Sequence, residues 1–215
     1  MLTILSISEF AAQLVSKEQG PGGGSAAALM GLTGASLAEM VVNLAEENSE
    51  EKYIKILDQK KSKLKHLHIE LQLLIDRDAE AFRKLVEANA LPAQSREEQI
   101  VRQKAIQLAA KEAAEVPLWT ARICLETLEL ISNFVMQGIV PAYAMSDLLV
   151  GAFASHAGAM GALMNTAANL TLLNDSQAVS ALKGQIVLVR AAADTMIETI
   201  RGTGFSHPEL SVMRE

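Results

Sequence analysis

The chain has 215 residues, of which 50% are hydrophobic and only 4% aromatic, with a formal net charge of −6 at pH 7. This length suits one well-buried domain over residues 1–215 rather than two, and the acidic balance argues against nucleic acid or an anionic membrane surface as the general partner. A single cysteine, Cys124, excludes an intramolecular disulfide and makes thiol-ligated structural zinc a poor fit.

"MLTILSISEF" has neither a basic n-region nor a small-residue cleavage site, so it does not read as a signal peptide and a soluble, cytoplasmic protein is expected. Ser6 and Glu9 have capping-box spacing and open a short helix that ends near Lys17. The stretch "QGPGGGSAAALMG" at 19–31 then leads into an alanine-rich helix from about Ser25 to Ala45. The polar "EENSEEK" is a solvated turn. From Glu51 to Ala90 no Pro or Gly interrupts the chain, and one helix of roughly 60 Å follows at ~1.5 Å per residue. Pro92 ends it, and Ser95 and Glu98 form a second capping box. The next helix should break or kink at Pro117, and another continues to Gln137 with Gly138 as its stop. Helices from Ser146 to Leu173 and from Ser176 to Arg201 complete the set, followed by a loose tail. No alternating β pattern occurs. The expected architecture is an all-α, antiparallel up-and-down helical bundle with one long helix.

The long helix carries a seam in alternating three- and four-residue steps: Ile54, Leu57, Lys61, Leu64, His68, Leu71, Ile75, Asp78, Phe82 and Leu85. Asp78 falls between Ile75 and Phe82, where an unpaired carboxylate is costly. It therefore needs a partner, a cavity or a job. Lys61 and His68 reach water more easily from a seam's edge.

The glycine corner lacks the preceding strand of a dinucleotide site and the lysine of a Walker loop. Two readings stay open: an anion site of bare helix-start amides, or close packing of the turn on a neighbouring helix. The small-residue helices "SAAALMGLTGASLAEM" and "GAFASHAGAMGALMNTAANL" suit tight core or dimer packing. Glu39, His156, Asn165 and Asn169 lie in them and Asp147 just before the second, each with an ordinary structural explanation, yet together they suggest a cleft. Ser146 and Asp147 also suit a helix N-cap and first turn. His66 and His68 diverge on their helix, no His-Glu-x-x-His motif occurs, and no metal is expected.

With these pieces in place, the chain resembles the cyclodeaminase/cyclohydrolase family, known as the C-terminal domain of formiminotransferase-cyclodeaminase and as free-standing bacterial enzymes. The resemblance rests on "PGGGSAAAL" at 21–29, "MVVNL" at 40–44, "DAEAF" at 78–82 and "LP" at 91–92. It continues with Arg102 and "AIQLAAKEAAEVPL" at 105–118, "SDLLVGA" at 146–152 and "GALMNTAANL" at 161–170. It implies an all-helical fold, a folate-binding cleft, a homodimer, and chemistry on the one-carbon unit of tetrahydrofolate without cofactor, metal or nucleotide. Coupling to a formiminotransferase is a further partnership it brings. The cyclodeaminase converts 5-formimino-tetrahydrofolate to 5,10-methenyl-tetrahydrofolate and ammonia. The cyclohydrolase interconverts the methenyl form and 10-formyl-tetrahydrofolate.

Both reactions pass through a tetrahedral carbon between N5 and N10 and need a base and an acid. Asp78 is the candidate proton shuttle, since burial should raise its pKa; the competing role is a buried ion pair with Arg or Lys. Asp147 is the second catalytic candidate, binding the pterin or positioning water, with Ser146 beside it. Pro21, Gly22, Gly23, Gly24 and Ser25 would hold a carboxylate or pterin carbonyl, and Arg102 would bind the glutamate tail or form a structural ion pair. The cyclodeaminase is the leading reading and the cyclohydrolase its alternative. A non-catalytic helical module, oligomeric or folate-binding, is the rival class. Two departures stand out: Ile139 follows Gly138 where the family has Asn, and the acidic "AEENSEEK" replaces a basic stretch.

Overall fold

Caps written in the sequence set two of the helix starts. The Ser6 hydroxyl accepts from the Glu9 N–H and the Glu9 carboxylate accepts from the Ser6 N–H; Ser95 and Glu98 repeat the arrangement. In the computed structural model, which describes residues 1–16, 20–47 and 51–214, the helices are α1 (Ile7–Val15), α2 (Gly23–Glu47), α3 (Glu51–Ala90), α4 (Arg96–Gln137), α5 (Met145–Asn169) and α6 (Ser176–Gly204). Short 3₁₀ turns precede α1 and flank α5, and no strand occurs among the described residues. Much of the expected polar turn before α3 falls on residues 48–50, outside the described ones.

Three boundaries differ from expectation. Helix α2 begins at Gly23, two residues early, because the glycines themselves adopt the first turn. The end of the chain is ordered into a 3₁₀ segment, Pro208–Arg214, and Leu210 packs against the core. Most informative is α4, which runs unbroken through Pro117. A proline has no N–H for the carbonyl four residues back, so the Ala113 carbonyl loses its helical partner. The side-chain amide of Asn169 donates to it instead, at 2.6 Å. The freed carbonyl is satisfied from α5, and the helix continues.

Consecutive long helices run antiparallel, with α2 between α3 and α5, and α4 against α3, α5 and α6. The seam of α3 is buried at Leu57, Leu64, Leu71, Ile75 and Leu85, whereas Ile54 and Phe82 stay about half exposed. The small residues of α2 and α5 let the two backbones nearly touch. A Cβ at Gly34 would lie 2.1 Å from the Ser155 hydroxyl, and one at Gly158 would lie 2.8 Å from the Ala27 carbonyl oxygen. Both helices are long and apolar enough to cross a bilayer. Half of each apolar stretch is buried inside the bundle.

Candidate active site

The glycine corner begins with Pro21, which is buried, while Gly22 and Gly23 are exposed. The Ala26 N–H returns to the Gly22 carbonyl at 3.0 Å, so Gly22 serves as the N-cap. The N–H groups of Gly23, Gly24 and Ser25 have no intrahelical acceptor, as at any helix start. Asp78, projecting from α3, takes one of these places: the Ser25 hydroxyl donates to its Oδ2 at 2.9 Å and the Ser25 N–H also bonds the carboxylate. A Cβ on Gly24 would stand 1.9 Å from Asp78 Oδ1. The group that comes so close to the corner is thus a carboxylate of the same chain.

Asp78 has no cationic partner among the described residues. Burial, the dominant influence, raises its pKa above the ordinary carboxylate value, and the Ser25 hydrogen bonds pull it partly back. This is the opposite balance from an ion-paired structural carboxylate, whose pKa a cation would lower.

Gly20, Gly22, Gly23, Gly24, Asp78, Ala79, Phe82, Ala113, Asn165 and Asn169 line a cleft of about 640 Å³, counting its open mouth. Asn165 bonds back to the Gly161 carbonyl at 2.9 Å and crowds Gly23, where a Cβ would lie 3.1 Å from its Nδ2. The flat, half-exposed ring of Phe82 forms one wall. Asp78 is the one titratable side chain among the described residues lining this cleft.

The other candidates lie apart. Ser146 and Asp147 occupy the first turn of α5, exposed; 18 residues separate Asp147 from Asn165, roughly 27 Å along the helix. Arg102 does not line the cleft either. It is half-buried, its Nε lacks a hydrogen-bond partner, and it lies about 16 Å along α4 from Ala113. Glu39 faces His68 at 3.8 Å and His156 bonds Asp194 at 2.9 Å, so neither joins the cleft. Among the described residues, no group of three or more His, Cys, Asp or Glu is disposed to hold a metal ion.

Asn169 had signalled only a polar group in need of a partner. Its relation to Ala113 follows from Pro117, which lies 52 residues before it in sequence. Replacing Asn169 with Leu should orphan the Ala113 carbonyl and cost about 1–3 kcal/mol in urea unfolding. Adding Pro117→Ala, which restores the missing N–H, should recover most of that loss. Equal losses in the two backgrounds would refute the pairing.

Known proteins resemble this chain in sequence and in fold. The family model described as formiminotransferase-cyclodeaminase matches residues 6–187. A methenyltetrahydrofolate cyclohydrolase of Methylorubrum extorquens is 32% identical over 203 residues, covering 91% of this chain and 96% of that protein. The formimidoyltransferase-cyclodeaminase of Mus musculus is 30% identical over 79% of this chain, which spans only 31% of that longer protein. The crystal structure of a formiminotetrahydrofolate cyclodeaminase from Thermotoga maritima superposes with a TM-score of 0.84 at 22% identity, covering 96% of this chain and 98% of that one. At that identity the likeness speaks for the fold.

Proposed function

The chain belongs to the formiminotransferase-cyclodeaminase family, and from that premise we propose that it is a folate one-carbon enzyme working at the bridge between N5 and N10 of tetrahydrofolate. The observation that carries this reading is the cleft itself, where a half-buried Asp78, with no cationic partner among the described residues, is held by Ser25 at the start of α2. We favour the methenyl-tetrahydrofolate cyclohydrolase direction, because the full-length relative bearing that name matches this chain nearly end to end. The cyclodeaminase reaction is the second reading, supported by the 30% identity to the mouse enzyme.

In the hydrolase direction, water attacks the methenyl carbon and its proton passes to the Asp78 carboxylate. The tetrahedral carbon then breaks its bond to N5. Asp78 returns the proton to N5, and the new hydroxyl releases its own proton to solvent, the net proton of the hydrolysis of the methenyl cation, to become the formyl carbonyl. In the deaminase direction N10 attacks the carbon of the protonated formimino group, Asp78 carries the N10 proton to the formimino nitrogen, and that nitrogen leaves as ammonia with its bonding electrons to give the methenyl cation. Both routes require one carboxyl group that accepts and then donates, and a raised pKa serves both halves. Phe82 offers a face for a flat ring, and the Gly23 and Gly24 N–H groups offer donors for a carbonyl or carboxylate. Arg102 stands far enough from the cleft to meet an extended glutamate tail.

We further take the enzyme to act in the cytoplasm as a homodimer, with a formiminotransferase as the natural supplier if the deaminase reading holds. A spectrophotometric assay separates the readings. Loss of the methenyl chromophore from 5,10-methenyl-tetrahydrofolate, faster than in buffer, identifies the hydrolase. Gain of that chromophore from 5-formimino-tetrahydrofolate, with ammonia released, identifies the deaminase. Neither signal, with no folate-induced rise in melting temperature, would leave a non-catalytic helical module.

A further inference from the structure

Asn165 and Asn169 stand one turn apart on one face of α5, and both line the cleft that holds Asp78. Each spends its amide nitrogen on a backbone carbonyl: Asn165 donates to Gly161 at 2.9 Å and Asn169 to Ala113 at 2.6 Å. A carbonyl oxygen can only accept, so the nitrogen end of each amide is fixed against it and the oxygen end is turned away. Neither Oδ1 accepts a hydrogen bond from any described residue, and neither is shut off from solvent. The α5 wall of the cleft therefore presents two unclaimed acceptors.

The two amides are held differently. Asn165 turns back onto its own helix, to a carbonyl that the helical ladder already serves. Asn169 is held from another helix, by the carbonyl that Pro117 leaves free in α4. The start of α2 stands between these groups and the carboxyl group of Asp78. A Cβ on Gly23 would lie 3.1 Å from Asn165 Nδ2, and one on the next residue, Gly24, would lie 1.9 Å from Asp78 Oδ1. One side of the helix start thus meets neutral amides, and the other meets the carboxyl group.

Acceptors select donors. A carboxylate brought to α5 would meet two oxygens and gain no hydrogen bond from them, so the glutamate end of a folate does not suit this wall. The ring end does. A pterin carries its N3–H and 2-amino donors about C2, at the opposite end of the two-ring system from N5 and from C6, which bears the arm to N10. Resting on the folate reading above, we propose that Asn165 and Asn169 bind the substrate ring by that donor-rich end. The ring then spans the cleft past the start of α2, its N5 side toward Asp78, with Phe82 against its face. Specificity for a 2-amino ring lies in α5, and the chemistry lies on α3.

The test is the equilibrium affinity of the full chain for 5-formyl-tetrahydrofolate, which keeps the ring donors, and for its 2-desamino-2-methyl counterpart, which lacks the amino group. Asn165→Leu should weaken binding of the first about 3–10-fold, the worth of one neutral hydrogen bond. Its melting temperature should stay near parental, because the Gly161 carbonyl keeps its helical N–H. Asn169→Leu should lose both affinity and stability, and adding Pro117→Ala should return the stability without the affinity. The parent should prefer the amino-bearing ligand by about 3–10-fold. With both oxygens gone, in Asn165→Leu/Asn169→Leu/Pro117→Ala, the two ligands should bind alike. Unchanged affinity in Asn165→Leu overturns the inference and leaves the folate reading standing. So does affinity that returns along with stability in the Pro117→Ala background, or a triple variant that prefers the amino-bearing ligand as strongly as the parent. A parent that binds neither ligand overturns the folate reading, and this inference with it.

Discussion

Asp78→Asn should lower turnover by about 10²–10⁴-fold, the usual contribution of a positioned proton-transfer group, while folate binding and helical content stay near parental values. The substitution keeps the side chain's size and an oxygen that accepts from Ser25, so the corner keeps its geometry and loses only the exchangeable proton. Stability gives the second readout. Burial raises the pKa of Asp78 in the folded chain, so between its unfolded and folded values the native state holds more protons than the unfolded one. Folding stability from this group is therefore full below the ordinary carboxylate pKa and is lost as pH rises through the raised value. Asparagine does not titrate. The variant should match the parent in acid and gain on it toward neutral pH, as followed by melting temperature across the pH range. A variant that turns over normally, or that loses stability most at neutral pH, would make Asp78 a structural carboxylate.

Much of this site was legible before any coordinates, for physical reasons. The seam of α3 flagged Asp78 because a carboxylate in an apolar register needs a special environment, and the glycines flagged the start of α2 because bare amides suit an anion. That the first anion there would be Asp78 itself was not legible. Nothing in either segment fixes the level at which α2 meets α3. Phe82, expected in the core from its register, is half exposed because it borders the cleft. Pro117 misled in the opposite direction: its effect on α4 depends on Asn169 reaching across from α5. Period and capping speak for single helices, while the cleft is a property of how four helices meet.

Gly24→Ala is the sharpest test of that meeting. Its Cβ would lie 1.9 Å from Asp78 Oδ1, 2.5 Å from Cγ and 2.7 Å from Oδ2, too close for any of the three atoms to stay in place. The carboxylate must withdraw from Ser25 into surroundings that already disfavour its charge. Overpacking typically costs about 1–3 kcal/mol, and alanine's better helix propensity returns at most about 1 kcal/mol. A net loss near 2 kcal/mol in urea unfolding is expected, with turnover falling almost as far as in Asp78→Asn. The cause can be isolated. In an Asp78→Ala background no carboxylate remains to collide with, so adding Gly24→Ala should cost nothing or stabilise slightly, giving a coupling of about 1–3 kcal/mol between the positions. Gly22→Ala is the control, since a Cβ there meets nothing within 4 Å, and its stability should stay within about 0.5 kcal/mol of parental. If Gly24→Ala instead costs the same with and without the carboxylate, the glycine serves the backbone of α2 rather than the approach of Asp78, and the corner loses its claim to position the catalytic group.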